Sequence, residues 1–206
     1  NQALLAFLAV EAGQPHTRAR LAGLLWPDEL ERSARLNLRQ ALFHLRSLLG
    51  NERVTPPFLR SGDDAVQFDP DSPAQVDAML FAELLDRCQR HLHETDVPCP
   101  ECLQQLNQAV LLYRGEFLAG LFIDDSPPLE EWILLRRARL EHQVLDALQQ
   151  LAVWHEALGE YEQAYHFARR EIELDPLREE AYRRGMRALA LGGKASEAVA
   201  LYQSCW

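Results

Sequence analysis

Lysine is nearly absent from this 206-residue chain: Lys194 is the only one, and arginine supplies the rest of the 21 basic side chains. Arginine stays charged and offers a planar fork of donors, so it suits bidentate contacts to phosphate and guanine. Long apolar runs are missing too. No stretch approaches the ~20 residues of a membrane span, and the first residues lack the basic, apolar, small-residue order of a secretory signal. A membrane partner is therefore not expected, and a cytoplasmic location is. Catalytic motifs are also lacking. There is no Gly-x-Gly-x-x-Gly, no phosphate loop, no Gly-x-Ser-x-Gly and no His-Glu-x-x-His. The acidic pairs Asp63-Asp64, Asp124-Asp125 and Glu130-Glu131 are neighbours at turns or helix starts, which does not suggest an acid/base dyad. No enzyme is expected.

What is present is ordinary in amount, 48% hydrophobic and 25% charged, and long enough for two domains with their own cores. The formal charge of −10 opposes simple nucleic-acid binding, so its distribution decides. Residues 1–76 hold 8 arginines against 9 acids, and the remainder holds 13 basic residues against 22 acids. Between Arg32 and Arg60 there are six arginines and one acid, Glu52. That segment is locally basic, and with a Debye length of about 8 Å local sign outweighs net sign.

The segment from Asp28 to Gly50, DELERSARLNLRQALFHLRSLLG, is the most informative. Leu38, Ala41, Leu42, Leu45 and Leu49 recur at helical spacing and would seat one face on a core. The opposite face carries Leu36, Gln40, Phe43 and Ser47, flanked by Arg32, Arg39 and Arg46, which are seven apart and form a stripe. A duplex reader needs this arrangement, with arginines aimed at phosphates and amide or apolar groups between them facing base edges. A solvated outer face of an amphipathic helix has the same charges. The neighbouring elements favour the reader. Ala3 to Glu11 is helical, and Thr17 is a good N-cap for a helix reaching Leu25. Gly50 ends the striped helix, and Phe58–Ser61 and Ala65–Phe68 read as a hairpin around Gly62-Asp63-Asp64. Three helices followed by a hairpin are the order of a winged helix-turn-helix, whose third helix enters the major groove.

These residues resemble a known family. The run RARLAGLLWPDELERSARLNLRQALFHLRSLLG is similar to the winged-helix DNA-binding domain of SARP-type bacterial activators. The stretches VDAMLFAELL, LNQAVLLYRGEFLAGL and LEEWILLRRARLE resemble the bacterial transcriptional activator domain that follows it. The resemblance implies a mainly α chain. A winged-helix domain at 1–72 would precede a tetratricopeptide-like helical repeat domain at 73–206. The family's first domain starts with a small β-sheet; this chain opens at the first helix, so that sheet is expected to be missing. The implied role is activation of transcription at repeated promoter sites, with RNA polymerase contacts or homodimer pairing through the acidic helical domain. A nucleoid-associated place in a bacterial cytoplasm goes with it.

The second half carries its own signal. Ala147, Leu148, Leu158, Gly159, Ala164 and Tyr165 align with Ala181, Tyr182, Gly192, Gly193, Ala198 and Val199, each 34 positions on, the tetratricopeptide period. Helices are expected at 128–157, 160–174, 177–191 and 195–204, preceded by a pair at Asp77–His93 and Glu101–Leu118. With no capping helix after Tyr202, further repeats are expected beyond. Such arrays commonly bind a protein, so an interaction scaffold with a degenerate winged helix is the competing expectation. Trp132, Trp154 and Tyr161 could line that surface, although aromatics at this spacing usually pack in a core.

Three of the four cysteines fall in CQRHLHETDVPCPEC. Cys88 and His91 are one helical turn apart, and Cys99-x-x-Cys102 is a two-thiolate knuckle. Four such ligands suit one structural, tetrahedral zinc ion, with His93 competing with His91 for the fourth position. The alternative is three reduced cysteines with no metal, the Cys99–Cys102 pair being incidental or redox-active.

The expected DNA contacts follow from the winged-helix order. Gln40, Phe43, His44 and Ser47 would lie nearest the bases of double-stranded promoter DNA, with Phe43 either on a thymine methyl or packed under the wing. Arg32, Arg35, Arg39, Arg46 and Arg60 would meet phosphates, Arg39 being the best placed for guanine. Thr17 and Arg18 would touch the backbone at a helix N-terminus.

Overall fold

The computed structural model describes residues 1–91, 98–121, 123 and 126–205. The chain is mainly helical. Its elements run α1 (Gln2–Val10), β1 (His16–Thr17), α2 (Arg18–Leu25), α3 (Glu31–Leu49), β2 (Leu59–Ser61) and β3 (Ala65–Phe68). They continue as α4 (Asp77–Arg90), α5 (Pro100–Leu112), α6 (Pro127–Ala157), α7 (Tyr161–Leu174), α8 (Glu179–Leu191) and α9 (Ala195–Ser204). Two compact units interleave along the chain. One comprises Asn1–Val76 with Glu116–Ala138, the other Asp77–Gly115 with residues from Arg139 onward.

The first unit holds helices α1 to α3, a small sheet and the first part of α6. Thr17 caps α2 by accepting a hydrogen bond from the Arg20 backbone N–H at 3.2 Å, relieving one of the orphan donors of a helix start. Gly50 ends α3 in the left-handed conformation, φ +62°, which glycine adopts without steric cost. The strands are antiparallel in the order β1-β3-β2, with Ser61 opposite Val66 and His16 also paired to Val66. The strand β1 was not foreseen: the sequence reading ends helix one and caps helix two without it. A two-residue strand exists only because β3 lies alongside, and no local periodicity marks that. Leu4, Phe7 and Leu8 of α1, Leu21 of α2, and Leu38, Leu42 and Leu45 of α3 form the core with Leu59, Val66 and Phe68. Leu129 and Ile133 of α6 belong to this core too. Phe117, Leu121 and Trp132, beyond the expected boundary at 72/73, also pack against this core.

The secondary-structure elements described in the second unit are all helices. Phe81, Leu84 and Leu85 of α4 pack with Leu106, Ala109 and Val110 of α5, Leu148 and Leu151 of α6, and Phe167 and Ala168 of α7. The expected helix Glu101–Leu118 stops earlier, at Leu112, because Tyr113 is extended and Gly115 takes φ +149°. The 34-residue period appears as repeated backbone geometry. Gly159 and Gly193 share φ +77°. The N–H of the following residue reaches back five positions in both turns, Glu160 to the His155 carbonyl and Lys194 to the Leu189 carbonyl, each at 2.8 Å. Only a residue tolerant of positive φ fits this helix-ending motif. A buried carboxylate, Glu171, ties α7 to α8: Arg184 donates to it at 2.5 and 2.7 Å, and Arg178 pairs with it at 2.8 Å. Among the described residues no helix is long and apolar enough to cross a membrane.

Candidate nucleic-acid interface and metal cluster

Helix α3 divides sharply into two faces. Ala34, Leu38, Ala41, Leu42 and Leu45 are buried, and Leu49 is half-buried. Leu36, Arg39, Gln40, Phe43, His44 and Ser47 are exposed, as are Arg32 and Arg35. Burying one face fixes the rotation of the helix, so the other set is presented together. Phe43 is 68% exposed, its nearest ring neighbour being His44 at 6.0 Å, so it does not pack under the hairpin. A large apolar side chain held in water beside Leu36 is the less ordinary feature of this face, because contiguous exposed apolar groups flanked by charge tend to mark interaction sites.

The arginines differ in their attachments. Arg32 and Arg39 have no ion-pair partner among the described residues. Arg35 pairs with Glu31 one turn earlier at 2.7 Å, with both side chains mostly exposed, a pair that water and salt readily loosen. Arg46 is half-buried and donates to the Ser61 hydroxyl on β2. Burial, and after it the like charge of Arg18, push its guanidinium below the ordinary arginine value. Arg18 and Arg46 are thus close enough to repel, at a place where Thr17 starts α2 and Ser61 ends β2. Arg60, expected on the hairpin as a phosphate contact, forms an ion pair with the fully buried Asp69. Its side chain remains about half exposed.

In the second unit the structure brings His91, Cys99 and Cys102 together, their ligand atoms all within 4.8 Å of one another. His91 Nδ1 is 3.2 Å from Cys102 Sγ and 3.5 Å from Cys99 Sγ. His91 follows the last turn of α4, Cys99 caps α5, and Cys102 sits fully buried in its first turn. Burial, then the neighbouring Cys88 and Cys99 thiols, push the Cys102 thiol up to about 12. These three residues could hold a metal ion. Cys88 is a neighbour of Cys102, whose Sγ lies 3.9 Å from the Cys88 carbonyl, but it is not within the three-residue group. His93, the alternative ligand, lies outside the described residues.

Trp132 is a packing residue of the first unit: its ring lies 5.0 Å from Phe7 and its indole N–H donates to Glu11. Sequence reasoning missed this link, and the only hint was an aromatic residue early in a long amphipathic helix.

A comparison with curated proteins found no match. The family described as bacterial transcriptional activator domain matches residues 76–206. The matched span holds helices α4 to α9, whose packing and 34-residue turns are described above, and the family is one of transcriptional activator domains, not of catalysts. On this match over more than half of its length, the chain belongs to the bacterial transcriptional activator domain family, the domain found in SARP regulators.

Proposed function

We propose that this chain is a sequence-specific DNA-binding activator of bacterial transcription, with the first unit acting as a winged helix-turn-helix. One observation carries the reading: the outward face of α3 presents Leu36, Gln40, Phe43 and Ser47 together, bordered by Arg32 and Arg39, which have no ion-pair partner among the described residues. A helix fits the ≈ 12 Å major groove, where amide and apolar side chains read base edges and arginines at the margins meet phosphates. Gln40, Phe43, His44 and Ser47 read bases in this proposal, and Arg39 reaches guanine or the adjoining phosphate. Arg32, Arg35 and Arg46 contact the backbone. Arg60 offers the part of its guanidinium that Asp69 leaves free, and Thr17 and Arg18 place the N-terminus of α2 on a phosphate. The acidic second unit contacts RNA polymerase or a second copy of the chain on repeated sites, in the bacterial cytoplasm at the nucleoid.

The test begins by selecting duplexes from a random-sequence library and measuring affinity by fluorescence anisotropy across a salt series. Specific binding is expected, with log K falling against log salt at a slope of about 0.9 for each neutralised phosphate. Arg39→Ala should weaken binding about tenfold or more, the usual scale of a lost guanine or phosphate contact. No selected sequence, with equal affinity of parent and Arg39→Ala for every duplex, would overturn the reading. A protein-interaction scaffold with a degenerate winged helix would then describe the chain better.

A further inference from the structure

The ends of two helices in the second unit carry a site that DNA reading does not use. We propose that the C-terminal end of α4 and the N-terminal end of α5 hold one structural zinc ion, bound by His91 Nδ1 and the thiolates of Cys88, Cys99 and Cys102.

The distances suit that ion. Zinc binds imidazole nitrogen at about 2.0–2.1 Å and thiolate sulfur at about 2.3 Å, so a nitrogen and a sulfur at two corners of a tetrahedron are about 3.6 Å apart. His91 Nδ1 lies 3.2 and 3.5 Å from the sulfurs of Cys102 and Cys99. Three ligand atoms from two separate helix ends, all within 4.8 Å of one another, therefore already surround a place where one ion fits. The donor set selects the metal class. Thiolate and imidazole are poor ligands for calcium or magnesium, which take oxygen. An iron–sulfur cluster ordinarily takes four cysteines. Three sulfurs and one nitrogen are a common structural zinc set.

Cys88 supplies the fourth corner. It stands in the last turn of α4, three residues before His91, whose N–H still bonds back to the Arg87 carbonyl, so both lie on one side of the helix end. It is buried, and the Cys102 sulfur lies 3.9 Å from its carbonyl oxygen. Its thiol must turn toward the other three ligand atoms to complete the set, since it stands outside their group. With four protein ligands the site is closed, leaving no position for water or substrate, as a structural role requires. Crowding three thiols without a cation is unfavourable for any thiolate among them. A divalent ion reverses this by stabilising deprotonated sulfur. The ion clasps α4 to α5 at their near ends, which the packing of Phe81, Leu84, Leu106 and Val110 supports further along the pair.

The proposal is tested by metal analysis and native mass spectrometry of protein purified without added metal, where one zinc per chain is expected. Replacement by cobalt(II) should give the visible bands of a tetrahedral site and a sulfur-to-cobalt charge-transfer band of three-thiolate intensity. Cys99→Ser is the principal variant, because Cys99 is partly exposed and Cys102 fully buried. It should weaken zinc binding by more than about 100-fold, since altering even an outer-shell partner costs 10–100-fold. Cys88→Ser should lower the charge-transfer intensity to that of two thiolates. Metal-free protein that melts unchanged with chelator would overturn the site, as would Cys99→Ser binding zinc like the parent. An unaltered cobalt spectrum in Cys88→Ser would overturn the four-ligand assignment. None of these readouts involves DNA, so this proposal and the activator reading fail separately.

Discussion

The Arg46 guanidinium on α3 donates a hydrogen bond to the Ser61 hydroxyl on β2, joining the arginine stripe of the helix to the edge of the hairpin. The bond is largely at the surface, so its net contribution to stability is small, under about 1 kcal/mol. Its greater effect is to hold a long side chain in one rotamer beside Arg18. Ser61→Ala should leave the melting temperature within a few degrees of the parent. DNA affinity should fall by a few-fold, because Arg46 must then be ordered on binding. Arg46→Ala should fall further and lower the salt slope by about 0.9, one phosphate contact. Equal salt slopes for Arg46→Ala and the parent would show that Arg46 serves the hairpin alone.

Residues on the face of α3 should separate into those that set affinity and those that set sequence preference. Arg32→Ala removes a cation from the margin and should weaken binding to all duplexes alike, with a shallower salt dependence. Phe43→Ala and Gln40→Ala leave charge untouched. Each should keep the salt slope and relax preference at one or two base positions, by about 1–3 kcal/mol of discrimination. Repeating the duplex selection with each variant reads this directly. A Phe43→Ala protein that selects the parental sequence at every position would place that ring off the bases.

Much of this face was legible in the sequence, because burial of one helix side is written as periodicity. Leu38, Leu42 and Leu45 recur at the spacing that the core requires, and their burial leaves Gln40, Phe43 and Ser47 outside. Thr17, Gly50, Gly159 and Gly193 were legible for a different reason: each satisfies a local backbone need, a cap or a positive φ, that few residue types meet. Long-range pairing was not legible. Strand β1 has two residues and depends on β3, about fifty positions later. Leu129 and Ile133 share one unbroken helix with Val144 and Leu148, yet the first pair packs in one unit and the second in the other. Periodicity reports that a helix face is buried and is silent about what buries it. The cysteine spacing gave the ligand types, but the sub-4 Å approach of His91 to Cys102 depends on how α4 meets α5.

Acid should weaken the first unit through His16 before it reaches the carboxylates. His16 is buried beside Phe7, with their rings 4.9 Å apart and neither imidazole nitrogen hydrogen-bonded among the described residues. Burial, then the charge of Arg20, hold its pKa below the ordinary histidine value. The unfolded chain therefore binds the proton more readily. Stability from neutral His16 is complete above about pH 6.5 and is lost as pH falls toward the folded-state pKa. Glu11 adds a second window. Burial raises its pKa, but hydrogen bonds from Arg136 and Trp132 and the Arg136 charge outweigh that and hold it low. Its contribution is complete above about pH 4.5 and declines below. His16→Phe should flatten the fall that begins below about pH 6.5 and leave the Glu11 window in place, as read by urea midpoints at each pH. An identical pH profile in His16→Phe would remove His16 from this account.

The carboxylate of Glu171 is fully buried on α7, where Arg184 and Arg178 supply both charge and hydrogen bonds. A buried ion group is not in itself strongly stabilising, because desolvation offsets most of the Coulomb attraction. Removing one member is different, since the partners lose their compensation. Glu171→Ala leaves two guanidiniums facing each other over a cavity, and the expected cost is about 3 kcal/mol, the lower end for a broken buried pair because both arginines keep some exposure. Glu171→Gln retains an acceptor and should cost less. Replacing Glu171, Arg178 and Arg184 together with Leu, Met and Met should recover part of the loss, as apolar groups of similar volume need no partners. Urea unfolding followed by hydrogen exchange on α7 and α8 measures all three. A Glu171→Ala protein as stable as the parent, with unchanged protection in both helices, would mean that water replaces the carboxylate at little cost and that the triad does not hold α7 to α8.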